Sequence, residues 1–337
     1  MENASQRAVG AINSDSGRIA WIDMARGFAA ILVMIGHSTA PEHLRQWLYL
    51  FHIPLFFFIS GYLFRPEKHR DFQRFLVSRC RSLLIPAIFL GTICRLIHVV
   101  LAPETWKNLL YVIPGVLIQL RGGLWETGMW FVICLFVTEL LFWWILRLMK
   151  KMWLIVAVSV AFGAFAYVYV MLIGKIVPWS LDAACIAVGF YGAGYLGRAF
   201  CKELFDKLTA KYLFAGYFAV TLMIGCLYIQ WFPGFKTDIY TDRFGLFPLF
   251  YIGAFAGILM CVSFFRTLPP MKWLCFIGQN SLAYFAFHTL VFDAIHFALP
   301  FENWASDCLI AALLLAPISM LLNRFLPFAV GKGWKGK

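Results

Sequence analysis

The chain has 337 residues, 62% hydrophobic, 18% aromatic and only 14% charged, with a formal net charge of +12; its mean hydropathy is +0.77. A soluble domain is about 45–50% apolar and about 25% charged, so the composition excludes a water-soluble fold and indicates an all-α, polytopic membrane protein. Long continuous apolar runs also exclude an outer-membrane barrel, and the positive balance reads as basic cytoplasmic loops rather than nucleic-acid binding.

Residues 1–18 are polar, and the first apolar segment is too long for a cleaved signal, so it reads as a retained signal anchor. Apolar segments of spanning length recur at about 20–40, 48–65, 82–102, 128–147, 152–173, 180–199, 211–231, 244–265, 280–299 and 305–326. These ten predicted spans form one transmembrane domain, 20–326, between an N-terminal tail, 1–19, and a basic C-terminal tail, 327–337. An even number of spans puts both termini on one side. With the termini cytoplasmic, the cytoplasmic pieces carry 21 Lys or Arg and the opposite side six, which sets that orientation. The nine cysteines form no CxxC and no Cys/His cluster, so neither a disulfide framework nor a metal site is expected.

Ionisable groups inside a bilayer are costly and persist where they face the bundle interior. The first span, "IDMARGFAAILVMIGH", holds Arg26 and His37. Eleven residues turn a helix by about 1100°, three turns plus about 20°, so both side chains share one face about 16.5 Å apart. Asp23, one turn before Arg26, can pair with it. The other reading is an arginine snorkelling to headgroups and a histidine at the far end. In the second span, "YLFHIPLFFFISG" (49–61), His52 lies near the external face at a depth close to His37, Pro54 suits an early helix position, and Ser60 and Gly61 close the span. The stretch 64–82 is a basic loop with Arg74, Arg79 and Arg81. It either follows the positive-inside rule and binds anionic lipid or holds a polyphosphorylated cytoplasmic ligand. Glu139, Asp182 and Asp293 are lesser candidates, Glu139 as a partner for an intramembrane cation such as Arg95. Late in the chain Asn280, Ser281, Tyr284 and His288 make a polar stripe on one predicted helix. "GYLFR" (61–65) and "GYLGR" (194–198) echo one another at two span ends, read as interfacial Tyr and Arg anchors.

The Arg-x10-His spacing followed by "FHIPLFFFISGYLF" resembles acyltransferase family 3, multi-span membrane enzymes that modify bacterial surface glycans; the nearest branch looks like the fucose 4-O-acetylase-type group. "RSLLIPAI" (81–88), "MWFVICLF" (129–136), "PWSLDAACIAVGFYGAGYLGR" (178–198) and "IGQNSLAYFAFH" (277–288) extend the similarity along the chain. The resemblance implies a multi-pass protein of the bacterial inner membrane that moves an acyl group, usually acetyl, from cytoplasmic acyl-CoA to a sugar hydroxyl of a surface or lipid-linked glycan. The acyl-CoA is a co-substrate, with no permanently bound cofactor. The motif residues map onto Arg26 and His37. Relatives often carry Arg-x-x-Arg before the third span, where this chain has Arg79-Cys80-Arg81.

On this reading Arg74, Arg79 and Arg81 hold the donor phosphates, and Arg26, oriented by Asp23, steadies the pantetheine arm. His37 acts as general base or as acyl acceptor. His52, Asn280 and His288 orient it or stabilise the oxyanion, with Ser60 and Ser281 in support, and Trp125 and Trp130 stack on sugar faces. The competing class is a transporter or glycolipid flippase, which would carry inverted repeats and broken helices.

Overall fold

The computed structural model describes residues 12–13, 18–68, 70–101, 112–121, 128–205, 210–232, 234–299 and 303–333. Trp125 lies outside them. The described chain is helical apart from a two-residue strand pairing, Ile12–Asn13 with Arg18–Ile19. Among the described residues, nine helical stretches are long and apolar enough to cross a membrane. They begin with α1 (Ala20–His37) and with α2 (Glu42–Tyr49) joined to α3 (His52–Leu63). Next come α4 (Phe72–Arg79) continued into α5 (Ile85–Leu101), then α7 (Trp130–Leu148) and α8 (Met152–Leu172). The last four are α10 (Ala210–Trp231), α11 (Phe247–Thr267), α13 (Ser281–Ala298) and α14 (Trp304–Phe325). Short α6 (Val112–Ile118) and α12 (Lys272–Gln279) lie between.

The one predicted span outside these nine, 180–199, is α9 (Leu181–Phe205), which has the length but falls short in apolarity. Asp182, four glycines and two tyrosines between 181 and 198 dilute it. Its position explains why this is tolerated. Ala183, Ala184, Ile186, Ala187, Val188, Phe190 and Tyr191 are fully buried, so protein rather than lipid surrounds its first half. The periphery has the opposite character. On α8, Val160, Phe165, Met171 and Leu172 are exposed, a surface that suits lipid and not water.

Two helix crossings depend on reciprocal glycines. A Cβ on Gly61 of α3 would sit 1.9 Å from the Tyr191 carbonyl oxygen, and one on Gly194 of α9 would sit 1.9 Å from the Phe58 carbonyl oxygen. These are the two glycines of the "GYLxR" echo, so the echo marks the α3–α9 contact, where backbones touch as small-residue interfaces allow. Gly27 of α1 and Gly278 of α12 repeat the device, each against the other helix's backbone. Gly61→Leu is expected to force α3 and α9 apart and cost about 1–3 kcal/mol or more. A fall in thermal unfolding temperature in detergent checks this, and an unchanged melt would refute the crossing.

The stretch 64–82 is not a loop. It forms a 3-10 turn (Pro66–Lys68), then α4, whose N-cap Asp71 accepts the Arg74 amide at 2.8 Å, then a π-helical turn (Cys80–Leu84) that runs into α5. A strong cap and helix-forming residues turn the basic segment into the cytoplasm-predicted start of a 30-residue helical stretch, Phe72–Leu101. π-turns of this kind recur at functional sites.

Candidate active site

Helix α1 carries both motif residues, Arg26 in its second turn, half-buried, and His37 as its last residue. The rise between them is about 16.5 Å, and the His37 end opens on a cavity.

At the His37 end is a cavity of about 720 Å³ lined by His37, His52, His288, Trp130, Tyr49 and Lys236, among others. His37 is exposed into it, whereas His52 and His288 are 2% and 1% exposed. The His37 and His288 rings meet edge to face at 4.9 Å. The tautomer of each buried histidine follows from its backbone bond. His288 Nδ1 lies 3.0 Å from the carbonyl oxygens of Tyr284 and Phe285, which only accept, so Nδ1 donates and Nε2 holds the lone pair. That Nε2 is buried without a hydrogen-bond partner among the described residues. His52 Nδ1 likewise donates to the Leu48 carbonyl at 2.7 Å, a bond made possible by the break between α2 and α3. Both rings line the cavity beside His37, and the unpartnered Nε2 of His288 is one of its polar atoms.

The segment 234–246 forms one wall. Asp238 and Arg243 exchange backbone hydrogen bonds at 2.7 and 2.9 Å. The Asp238 carboxylate accepts from the Tyr240 amide at 2.9 Å and the Thr241 hydroxyl at 3.2 Å. Burial pushes the Asp238 carboxyl above the usual carboxylate range and the Lys236 ammonium below its own. Lys236 Nζ sits 3.8 Å from the centre of the Tyr49 ring, and Tyr240 lies 5.3 Å from Trp130, ring to ring. The wall is locked from behind by Arg121, which donates to Asp182 at 3.0 Å and Asp242 at 2.6 Å, all three nearly inaccessible. Asp182 also accepts the Val177 amide at 2.8 Å. The backbone around this clamp is strained: Asp242 has φ 56° and Trp179 φ 62°, uncommon for non-glycine residues.

The Arg26 end is polar too. Arg79 Nε lies 3.2 Å from Glu139 Oε2, with Tyr191 beside that carboxylate and Arg26 within electrostatic range of it. Glu139 therefore pairs with Arg79 and not with Arg95, which lines the His37 cavity instead. Asp23 accepts a hydrogen bond from Gln279 at 2.8 Å, which fastens α1 to α12. A second cavity of about 720 Å³ is lined by Gln73, Arg74, Ser78, Arg81, Gly331 and Gly333, with Val77 and Ser82. Arg79 and Arg81, two residues apart, point in different directions, one to Glu139 and one to this cavity.

Asn280 belongs to this end. It accepts from Asn323 at 2.8 Å and from Lys332 at 3.5 Å, and Lys332 lies between the two cavity glycines. Asn280 and Ser281 are thus about eight residues of helix, about 12 Å, from His288 and do not line the His37 cavity. Ser60 stands beside Gly61 at the α3–α9 crossing and does not line it either. The structure brings His37, His52, His288 and Trp130 together at one end, and Arg74 and Arg81 at the other, with Asp23, Arg26, Arg79 and Asn280 nearer the latter. Sequence reasoning missed Arg45, Tyr49, Lys236, Asp238 and Tyr240 in the first cavity. Arg45 and Lys236 were only counted as external charges, and their signal was that they were few on that side.

The family model described as an acyltransferase domain (Acyl_transf_3) matches residues 19–328. The chain belongs to this family. It is a membrane acyltransferase, of a family that generally carries out O-acyl transfer. No curated protein and no solved structure matches the chain.

Proposed function

We propose that this acyltransferase moves an acyl group, acetyl in the first instance, from cytoplasmic acyl-CoA to a hydroxyl of a surface or lipid-linked glycan, as in the O-acetylase branch it resembles, in a bacterial inner membrane. The observation that carries this reading is a histidine-lined cavity at the His37 end of α1 together with a separate cavity lined by Arg74 and Arg81. The basic cavity, at the end assigned to the cytoplasm by the charge count, would receive the donor. Arg74 and Arg81 are suited to its phosphates. Arg26, beside the Arg79–Glu139 pair, would steady the pantetheine arm as it runs toward His37. The two cavities share no lining residue, so the arm would have to pass between helices to bridge them.

In the His37 cavity the acceptor hydroxyl oxygen attacks the thioester carbonyl and gives its proton to His37. The carbon–sulfur bond breaks, and the CoA sulfur leaves and takes up a proton. A bare Nε2 on His288 can accept the N–H of His37 and so hold its other nitrogen ready as the base. Trp130 and Tyr240 offer ring faces to a sugar.

The test is a transfer assay in nanodiscs with labelled acetyl-CoA and glycan acceptors. Arg74→Ala with Arg81→Ala is expected to raise the KM for acetyl-CoA about tenfold or more with little change in kcat. Unchanged donor KM would remove the donor from that cavity, and no transfer to any acceptor, with glycolipid transport instead, would favour a flippase.

A further inference from the structure

The His37 cavity contains two arginines that the reaction above does not use. Arg45 of α2 and Arg95 of α5 both line it. The Nε of each is buried and has no hydrogen-bond partner, and neither forms an ion pair among the described residues. Both residues are partly buried, and a partly desolvated guanidinium is normally met by a nearby carboxylate. Two carboxylates line the same cavity. Asp238 is already occupied by the Tyr240 amide and Thr241 hydroxyl, and Asp293 stands on α13 without reaching either arginine. Lys236 adds a third cation, held over Tyr49 and attracted by Asp238, which leaves Arg45 and Arg95 as the cations without a carboxylate partner among the described residues. The cavity lining thus holds three cations, Arg45, Arg95 and Lys236, against two carboxylates, Asp238 and Asp293.

A neutral sugar hydroxyl could accept from one such donor but would leave the charge unbalanced. An oxyanion satisfies both needs, since a planar guanidinium fork matches a carboxylate or phosphate. We propose that the acceptor carries an anionic group, a sugar carboxylate or a phosphate ester, gripped by Arg45 and Arg95 with Lys236 nearby, so that its hydroxyl is presented to His37. This rests on the His37 cavity being the acceptor site. The anion would act as a handle that sets which sugar is modified, and Arg45 and Arg95 are the specificity-determining residues.

The experiment measures binding to the full-length protein in nanodiscs, without donor, of three probes: tri-galacturonate, its neutral trigalactose counterpart, and a short-chain polyprenyl diphosphate. At least one anionic probe is expected to bind about tenfold or more tighter than the neutral one. Arg45→Gln and Arg95→Gln should each remove most of that preference, and Arg45→Lys and Arg95→Lys should retain much of it. Thermal melts of all four variants separate lost binding from lost folding, and the lysine variants stand in if a glutamine variant does not fold. Preference for tri-galacturonate assigns the handle to a uronate, and preference for the diphosphate assigns it to a lipid-carrier phosphate. Equal binding of all three, no binding, or Gln variants that bind the anion like wild type would overturn the proposal. Anion binding without acyl transfer would sink the acyltransfer reading alone; transfer to neutral and acidic glycans alike would sink this inference alone.

Discussion

Replacing His37 with alanine is expected to lower acyl transfer by about 10²–10⁴-fold while leaving acyl-CoA binding close to wild type. The separation follows from position. His37 ends α1 and opens into the histidine-lined cavity, whereas Arg74 and Arg81 line the other one. His288→Phe should cost less, because His288 acts through His37; its ring is 4.9 Å away and its Nδ1 is spent on two backbone carbonyls. If His37 is the base, no label remains on the protein after incubation with labelled acetyl-CoA alone. If His37 itself takes the acyl group, a hydroxylamine-sensitive label appears and is lost in His37→Ala. Full activity in His37→Ala would remove the residue from the chemistry altogether.

The second large effect is structural. Arg121→Ala is expected to destabilise the protein by about 3–5 kcal/mol, because it leaves Asp182 and Asp242 as buried carboxylates with no cation between them. The wall that carries Lys236, Asp238 and Tyr240 hangs on this clamp, since Arg121 also reaches the Ile239 carbonyl at 3.5 Å. Activity should fall with stability. The pH dependence has a definite sign. Burial, then the neighbouring Asp182, hold the Asp242 carboxyl above the ordinary carboxylate range, against the pull of Arg121. The folded state therefore binds that proton more tightly than the unfolded chain does. The stability linked to it is present at low pH and is lost as pH rises through the raised pKa. Without Arg121 this dependence steepens, so the deficit of Arg121→Ala should shrink as pH is lowered from about 8 to about 5. A deficit that grows on acidification would contradict the clamp. Melting curves in detergent at several pH values, with wild type alongside, measure it.

Much of the architecture could be read from the sequence because bilayer physics is coarse. A run of about 20 apolar residues has few alternatives, and the spacing of Arg26 and His37 fixed their common face. Three features escaped for specific reasons. The basic stretch 64–82 looks like a loop by charge, yet the Asp71 cap and the helix-forming "FQRFLVSR" make it helical. The "GYLxR" echo looked like interfacial anchoring, because nothing in a lone sequence shows that Gly61 and Gly194 touch opposite backbones. Tyr284 and His288 share a face of α13, but Asn280, expected on the same helix, is the non-helical junction between α12 and α13. His288 reaches the His37 cavity while Asn280 bonds Asn323 and Lys332 at the other end. Arg121, Asp182 and Asp242 are separated by 61 and 60 residues, so their clamp belongs to tertiary structure alone.

The reaction proposed here requires donor and acceptor to approach from opposite faces of the membrane. Proteoliposomes with uniformly oriented protein, sealed to CoA, test this directly. Labelled acetyl-CoA is supplied only on the face bearing Arg74 and Arg81, and a glycan acceptor is supplied on one face or the other. Label should appear on acceptor presented at the His37 face and not on acceptor confined with the donor. Transfer only when both substrates share the Arg74 and Arg81 face would contradict the two-cavity reaction.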